Sequence, residues 1–530
     1  MKRKICLFFF MGLFSLTYGR ALPNAQEDSR VQKAYDPLQE KLFWIQNNTW
    51  TACGLSLLDA LTHAKDDGLW AEDYLPFVEH LKKADLTSPE TQKEADALLT
   101  FAALNYISDM KGGRLDPQAV DKNIHLKRKA VDAVQLLKEY LSHPEQCSWI
   151  YDLAPPTPEY QHMKQLLALY RHKQTLGEWP QLPKNTKLQK GDKGPLVEAL
   201  KTLLIAQDTL SGHGQGSDVF DEDLEEALKL YQSRHGLEQD GKVGGETLKA
   251  LNTPIEDRLK SIIVSLERQR WLPTPLPSRY IQVNIPGFYL KAVNGINSFY
   301  MPIITGREYR KTPVFYAPMT EIIFNPSWHV PTSIAVKDKL PKLKRNPNAF
   351  AGKGYHFYNS SGEELSPTSV NWDSYSSGSF PIRIVQSPGN ANALGKIRFT
   401  IDNPFSIYLH GTPEEKLFNK AKRALSSGCI RVQDPVKLAG FVFNNPHEWT
   451  RNRIEEESSG TRTKRVKLEA SLPVFITYFT VFEDENYKWN FVDDEYGQDA
   501  KIWTALEKAK RGFKDAPAEK HGILSVASAP

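Results

Sequence analysis

Apolar residues recur at three- and four-residue spacing through the first third of the chain. Leu55-Ser-Leu-Leu-Asp-Ala-Leu-Thr-His-Ala64, Ala95 to Tyr106, Val131 to Leu141 and Tyr160 to Leu169 all carry it, and the spacing predicts helices. Gly68-Leu-Trp70, Gly112-Gly-Arg-Leu-Asp-Pro117 and Pro155-Pro-Thr-Pro158 punctuate them. Asp36 to Gly177 therefore reads as a helical domain. Residues 188–252 form a smaller unit with helices expected over Val197 to Ile205, Phe220 to His235 and Thr247 to Asn252. Glycines stand at its turns, where they permit tight backbone, and Asp208 to Ser217 is a polar, glycine-rich loop. A helical connector, Ile255 to Leu272, follows.

The period then changes. Arg279 to Ile285 and Phe288 to Val293 alternate as strands do, with Pro286-Gly287 between them. Further apolar runs lie at Phe299 to Ile304, Glu321 to Phe324, Ile382 to Val385, Phe399 to Ile401, Ile407 to Leu409 and Val474 to Val481. This predicts a mainly-β, sandwich- or barrel-like domain within a multi-domain α+β chain. Pro331 to Phe380 carries few strand signals and many Lys, Asn, Gly and Ser. A loop that long inside a compact domain reads as a lid or binding element.

The chain ends, the charge and the cysteines narrow the setting. Lys2, Arg3 and Lys4 precede an apolar run, Ile5 to Leu16, and Thr17-Tyr18-Gly19 ends in a small residue, so residues 1–19 read as a cleavable signal peptide. The run is shorter than the roughly 20 residues that span a bilayer, and no later stretch is long and apolar enough to cross one. The 530 residues suffice for about three domains. Their formal charge is +4, or +1 once Lys2, Arg3 and Lys4 are set aside. No bulk field draws nucleic acid or anionic membrane. Beyond the signal segment stand Cys53, Cys147 and Cys429, an odd number that leaves at least one free thiol in an oxidising compartment. Cys53 and Cys147 either pair or stay as two buried thiols. Asp515 to Pro530, rich in Ala, Ser and Pro, reads as a disordered tail.

The chemistry concentrates in Tyr408-Leu-His-Gly-Thr-Pro413 and Ser426-Ser-Gly-Cys-Ile-Arg-Val432. Strands approach His410, a helix is expected over Glu414 to Leu425, and Gly428 can take backbone angles that aim the Cys429 thiol outward. A thiol on a glycine turn beside a histidine at a strand end suits nucleophilic acyl transfer: the imidazole takes the proton, the sulfur attacks a carbonyl, and N–H groups hold the oxyanion. His63 and His125 read as ordinary histidines, and nothing in the chain points to a metal or an organic cofactor.

A histidine followed by Ser/Thr-x-Gly-Cys-x-Arg resembles the signature of the L,D-transpeptidases with a YkuD-type catalytic domain. His410, Gly411, Ser426, Gly428, Cys429 and Arg431 fall on that pattern. Leu58-Asp-Ala-Leu61, Gly68 to Tyr74 and Gly113 to Pro117 resemble the helical scaffold of the large members, and Ala227, Tyr231-Gln232, Gly236-Leu237, Asp240-Gly241, Val243-Gly244 and Thr247-Leu248 resemble a three-helix peptidoglycan-binding domain. Arg268 to Pro273, Gly306-Arg307, Thr312-Pro313, Asn325 to Pro331, Gln386 to Asn390, Asn392 to Gly395 and Leu472 to Phe475 extend the likeness. It implies a helical scaffold over 20–185, a wall-binding module over 186–254, a connector over 255–277 and a catalytic domain over 278–500 with a capping insertion near 331–380.

The resemblance further implies a cysteine-dependent acyltransferase that joins peptidoglycan stem peptides 3→3, with carbapenems as inhibitors and no cofactor. The enzyme would be periplasmic or wall-associated. Cys429 is then the nucleophile and His410 the base. Backbone N–H groups near Ser427, Gly428 and Cys429 would form the oxyanion hole, and Gly411 would orient the histidine through its carbonyl. The family's third catalytic position is occupied here by Ser427. Tyr408, Gly411, Ser426 and Arg431 would border the substrate, Arg431 either holding a carboxylate or bracing the turn. Trp372, Tyr375 and Arg383 either line the groove or pack. Water or a lipoprotein lysine as acceptor would give a carboxypeptidase or a protein-anchoring enzyme, and a chain with a degenerate site would be a wall-binding scaffold.

Overall fold

The computed structural model describes residues 20–35, 41–143, 146–207, 210 and 217–514. The signal-peptide and disordered-tail expectations, and most of the polar loop at 208–217, lie outside the described residues. Among the described residues no helix is long and apolar enough to cross a membrane. The chain divides into two compact units, one from Met1–Lys111, Val131–Ala154 and Glu507–Pro530, the other from Gly112–Ala130 and Pro155–Leu506.

The first unit is helical, built on Ala52–Thr62, Leu75–Leu81, Pro89–Gly112 and Ala133–Leu141. Thr51 caps the first of these by accepting from Gly54 N, so Leu57, Leu58 and Leu61 can face the core. Asp96 accepts from Phe43 N at 3.0 Å and Trp44 N at 2.7 Å, which ties the preceding loop to the long helix. Cys53 and Cys147 are joined in a disulfide across 94 positions. Of the two readings left open by the sequence, pairing is the one realised.

In the second unit the three short helices are Pro195–Ala206, Glu222–Arg234 and Gly245–Leu251. The middle one begins after Phe220 because the Asp221 side chain accepts from Leu224 N and ends the extended approach. Buried Gln232 donates to Asp240, the Lys242 carbonyl and Thr247, and accepts from Gly241 N, which locks the glycine turn. The connector helix, Ile255–Trp271, is a buried spine rather than a surface link. Arg258, Glu267, Arg268 and Arg270 are all buried, and Glu267 accepts from Arg114 N and Leu115 N and pairs with Arg270. A buried charge is tolerable when hydrogen-bonded in this way.

Nine strands form the main sheet: β1 (Arg279–Asn284), β2 (Tyr289–Asn294), β3 (Asn297–Gly306), β4 (Phe315–Phe324), β5 (Ile397–Ile401), β6 (Tyr408–His410), β7 (Ala424–Ser426), β8 (Ile430–Val432) and β9 (Lys464–Thr477). Pairing runs β3-β8-β6-β5-β4-β9-β1-β2, and β2 pairs again with β3, so eight strands close on themselves with β7 added along β3. Phe399, Leu409, Ile430 and Ile322 face inward and are fully buried. Each such side chain contributes about 1.5–3 kcal/mol. A one-residue slip would turn them all outward, so this core fixes the register of the strands beside the site.

Two expectations near the site need correction. Glu414 to Leu425 is not a helix. A single 3-10 turn, Glu415–Asn419, gives way to β7. Arg423 donates to the carbonyls of Lys420, Ile303 and Phe288, and β7 pairs with Thr305 and Gly306, so tertiary bonds override the apolar spacing. The insertion expected over 331–380 is also wider than those bounds. Strands Trp328–His329, Tyr355–Tyr358, Glu364–Leu365 and Arg383–Gln386 form their own sheet. With short helices over Thr332–Ile334, Ala335–Lys339 and Leu340–Arg345 they enclose a core running from Trp328 to Leu394. Trp372 belongs to that core and lines no groove, Tyr375 packs against it, and Arg383 lies over the Tyr358 ring at 4.6 Å.

Candidate active site

Three adjacent strands set the site out as a grid. Arg398 of β5 pairs with His410 of β6, and His410 with Arg431 of β8. One step along, Thr400 pairs with Tyr408, and continuing the parallel register from Leu409–Ile430 brings Cys429 beside Tyr408. Neighbours in register share a face. Since Phe399, Leu409 and Ile430 point inward, Arg398, Tyr408, His410, Cys429 and Arg431 share the outer face. Tyr408 packs against the cap core.

His410 Nδ1 lies 2.6 Å from the Gly411 carbonyl. A carbonyl only accepts, so Nδ1 carries the proton, and in the neutral ring Nε2 keeps its lone pair. The turn before the cysteine is held from both sides. Ser426 Oγ donates to the Cys429 carbonyl at 2.6 Å and accepts from Gly428 N at 3.0 Å. Gly428 N–H, expected among the oxyanion donors, is therefore occupied, and buried Ser426 braces the turn instead of bordering substrate. Gly428 sits at φ +121°, in the region that favours glycine. Below it Thr312 Oγ1 donates to the Gly428 carbonyl at 2.7 Å and accepts from Gly306 N at 2.9 Å. Ser427 Oγ accepts from Arg310 at 2.8 Å. Arg431 pairs with Glu414 at 2.5 Å rather than bracing the turn from beneath.

Residues 278–448 match the family model of the L,D-transpeptidase catalytic domain. The chain carries an L,D-transpeptidase catalytic domain. Residues 29–167 match a scaffold domain, and residues 193–251 match a model described as "Putative peptidoglycan binding domain". A Haemophilus influenzae protein named "Putative L,D-transpeptidase" is 32% identical over 240 residues, covering 45% of this chain and 48% of that protein. The chain thus spans about half the length of this curated relative. A crystal structure of an L,D-transpeptidase from Xylanimonas cellulosilytica aligns at 15% identity, over 56% of this chain and all of that one, with a TM-score of 0.16. A fused Zn-dependent amidase/peptidase/peptidoglycan-binding domain protein from Clostridium acetobutylicum aligns at 13% identity and a TM-score of 0.15, with the same coverage. Scores at that level establish no common arrangement.

Within the transpeptidase domain both members of the pair are neutral at rest. Burial, then the charge of Arg431, hold His410 down to about 3, with Arg398 adding to this, against the hydrogen bonds it gives to the backbone at Gly411 and Leu394. Burial pushes the Cys429 thiol up, although hydrogen bonds from the backbone and hydroxyl of Tyr408 and the charges of Arg398 and Arg431 pull the other way. The sulfur also lies 3.6 Å from the Ser406 carbonyl. Burial raises the Tyr408 hydroxyl most, and the nearby sulfur raises it further, while Trp328 hydrogen-bonds to it. Tyr408 therefore remains a donor. Among the described residues no cluster of three or more His, Cys, Asp or Glu could hold a metal ion.

Four residues around the thiol carry no role in the sequence reading: Arg398, Arg310, Thr312 and Trp328. Thr312 and Trp328 fall on segments that extend the family likeness, and Arg398 leaves a signal of another kind. It stands between inward-facing Ile397 and Phe399, so alternation alone places it outward, beside His410.

Proposed function

We propose that the chain is a cysteine-dependent L,D-transpeptidase that forms 3→3 cross-links between peptidoglycan stems. The observation behind this reading is that Cys429 and His410 share the outer face of adjacent strands, with Nδ1 tied to the Gly411 carbonyl. That bond places the proton on Nδ1 and leaves Nε2 as the basic nitrogen. A neutral pair does not need a standing thiolate. As the sulfur bonds to the carbonyl carbon of the third stem residue, the thiol proton passes to Nε2 and the carbonyl π pair moves to oxygen. N–H groups of Ser427 and Cys429, with the Tyr408 hydroxyl, are the donors we assign to that oxyanion. Collapse breaks the C–N bond, its nitrogen takes the proton from Nε2, and terminal D-alanine leaves. The side-chain amine of a neighbouring stem then attacks the thioester and gives a proton to Nε2. The C–S bond breaks and the sulfur is protonated again.

Residues 193–251 would hold the enzyme on its polymer and raise the local substrate concentration. A periplasmic or wall-associated location follows from the same reading. The test is intact-protein mass after incubation with a carbapenem, comparing the chain without residues 1–19 with its Cys429→Ala variant. A covalent adduct on the first alone is expected. A folded protein that forms no adduct would remove the acyl-transfer reading.

A further inference from the structure

Two arginines flank His410 in one row across the sheet, and their surroundings differ. Arg431 is neutralised by Glu414 at 2.5 Å. Arg398 forms no ion pair among the described residues, and its buried Nε has no hydrogen-bond acceptor. Its guanidinium stands 4.2 Å from the centre of the Tyr408 ring. Resting on an aromatic face fixes the plane of the group and leaves its N–H edges to point sideways. A buried donor without an acceptor costs about 1–3 kcal/mol, a penalty that an arriving anion would remove. Of the nearby cations, Arg310 is paired with Asp338, and Lys339 is enclosed by Trp328, Phe350 and Tyr355 and donates to the Tyr355 hydroxyl at 2.8 Å. Among the described residues, Arg398 is thus the arginine of this row that has no carboxylate partner.

We propose that Arg398 receives the free carboxylate of the residue that leaves the donor stem, so that the domain selects stems ending one residue beyond the scissile bond. The proposal rests on the acyl-transfer reading above. One residue of chain spans at most about 3.6 Å, so this carboxylate lies close to the carbonyl that meets Cys429. Strands stand about 4.8 Å apart, and Arg398 lies two strands over from the strand that Cys429 leads into. A long side chain leaning along the row can close that gap. The planar fork of an arginine matches a carboxylate bidentately, whereas an amidated, esterified or extended stem offers no charge there. The nearest carboxylate further along this face, Glu321, is engaged by Thr400 and Arg465, each at 3.4 Å.

The test compares acylation kcat/KM for a synthetic stem tetrapeptide ending in free D-alanine and for its C-terminal amide. Intact mass reads the acyl-enzyme, in the full chain lacking residues 1–19 and in its Arg398→Gln and Arg398→Lys variants. The acid-to-amide ratio does not depend on how much of a variant is folded, and the lysine variant keeps the charge should glutamine unfold the protein. The expected ratio is on the order of 10- to 100-fold in the parent, from a hydrogen bond to a charged group. It should fall to about one in Arg398→Gln and take an intermediate value in Arg398→Lys. A parent that accepts both peptides equally, or an Arg398→Gln variant that slows both by the same factor, would overturn the assignment. If neither peptide acylates a parent that a carbapenem does label, the donor assignment fails while Cys429 stands. If the carbapenem fails as well, the acyl-transfer reading itself falls.

Discussion

Arg310 grips Asp338 of the cap with both ends of its guanidinium, at 2.5 and 2.7 Å, and the same side chain reaches Ser427 at 2.8 Å. One arginine therefore fastens the cap to the turn that presents the nucleophile. Asp338 is more than a third exposed, so solvent screening limits its contribution to stability to about 1 kcal/mol or less. Asp338→Asn should leave the melting temperature within a few degrees while lowering acylation kcat/KM about tenfold, mainly through KM. A melting temperature that drops with acylation intact would show the pair to be structural only.

Thr312 is fully buried and satisfies two backbone groups at once, the Gly306 N–H and the Gly428 carbonyl. Thr312→Val keeps the shape and removes both bonds. Each group left unsatisfied costs about 1–3 kcal/mol, so thermal unfolding should shift down by several degrees and acylation should fall. Thr312→Ser should restore both. The φ of Gly428, not crowding, makes Gly428→Ala unfavourable, since a Cβ there would meet Ile407 at an ordinary 3.5 Å. A loss of about 1–2 kcal/mol is expected, measurable by denaturant unfolding.

Two buried histidines contribute to the acid side of the stability profile. His410 is held to about 3, and His235 is shifted the same way, chiefly by burial. Between about pH 3 and 6.5 the unfolded chain binds a proton at His410 that the folded chain refuses, so stability rises with pH across that window, by about 1.4 kcal/mol per unit for this group. Below the lower limit both states are protonated and the dependence ends. Melting at pH 5 and 7 checks the sign, and His410→Gln should flatten the slope. The same depression keeps the base neutral, so acylation should show no loss near pH 6.5. Iodoacetamide labelling of Cys429 should keep climbing above pH 9, because its thiol is raised. An acid limb centred at 6.5 would contradict this electrostatic picture.

The disulfide between Cys53 and Cys147 closes a loop of 94 positions, for which loop closure corresponds to about 4.7 kcal/mol. Cys53→Ser with Cys147→Ser should destabilise the helical unit by that order in denaturant melts. The native chain without residues 1–19 should titrate one thiol when unfolded without reductant, and three after reduction.

The paired signatures around His410 and Cys429 were legible because short motifs reach across strands that the core forces into register. Leu409 and Ile430 are apolar and fully buried, so alternation alone puts His410 and Arg431 on the opposite face. What escaped the sequence depends on partners far along the chain. Leu417, Phe418, Ala421 and Leu425 have helical spacing, yet Arg423 bonds to carbonyls of β3 and of the turn before it and draws the segment into β7. The connector was legible as a helix, but only Arg114 and Leu115, more than 150 positions away, show why Glu267 is buried. The cap reaches from Trp328 to Leu394 because its sheet borrows strands on both sides of the polar insertion.

The disulfide requires an oxidant during folding, and the same oxidant meets the third sulfur. Oxidation and disulfide exchange proceed through the thiolate, which burial suppresses at Cys429. In the folded chain, a nucleophile kept protonated until a carbonyl arrives is sheltered from sulfenic acid and from disulfide exchange. Its latency at rest lets one folded chain keep a structural cystine and a working thiol in the same oxidising medium.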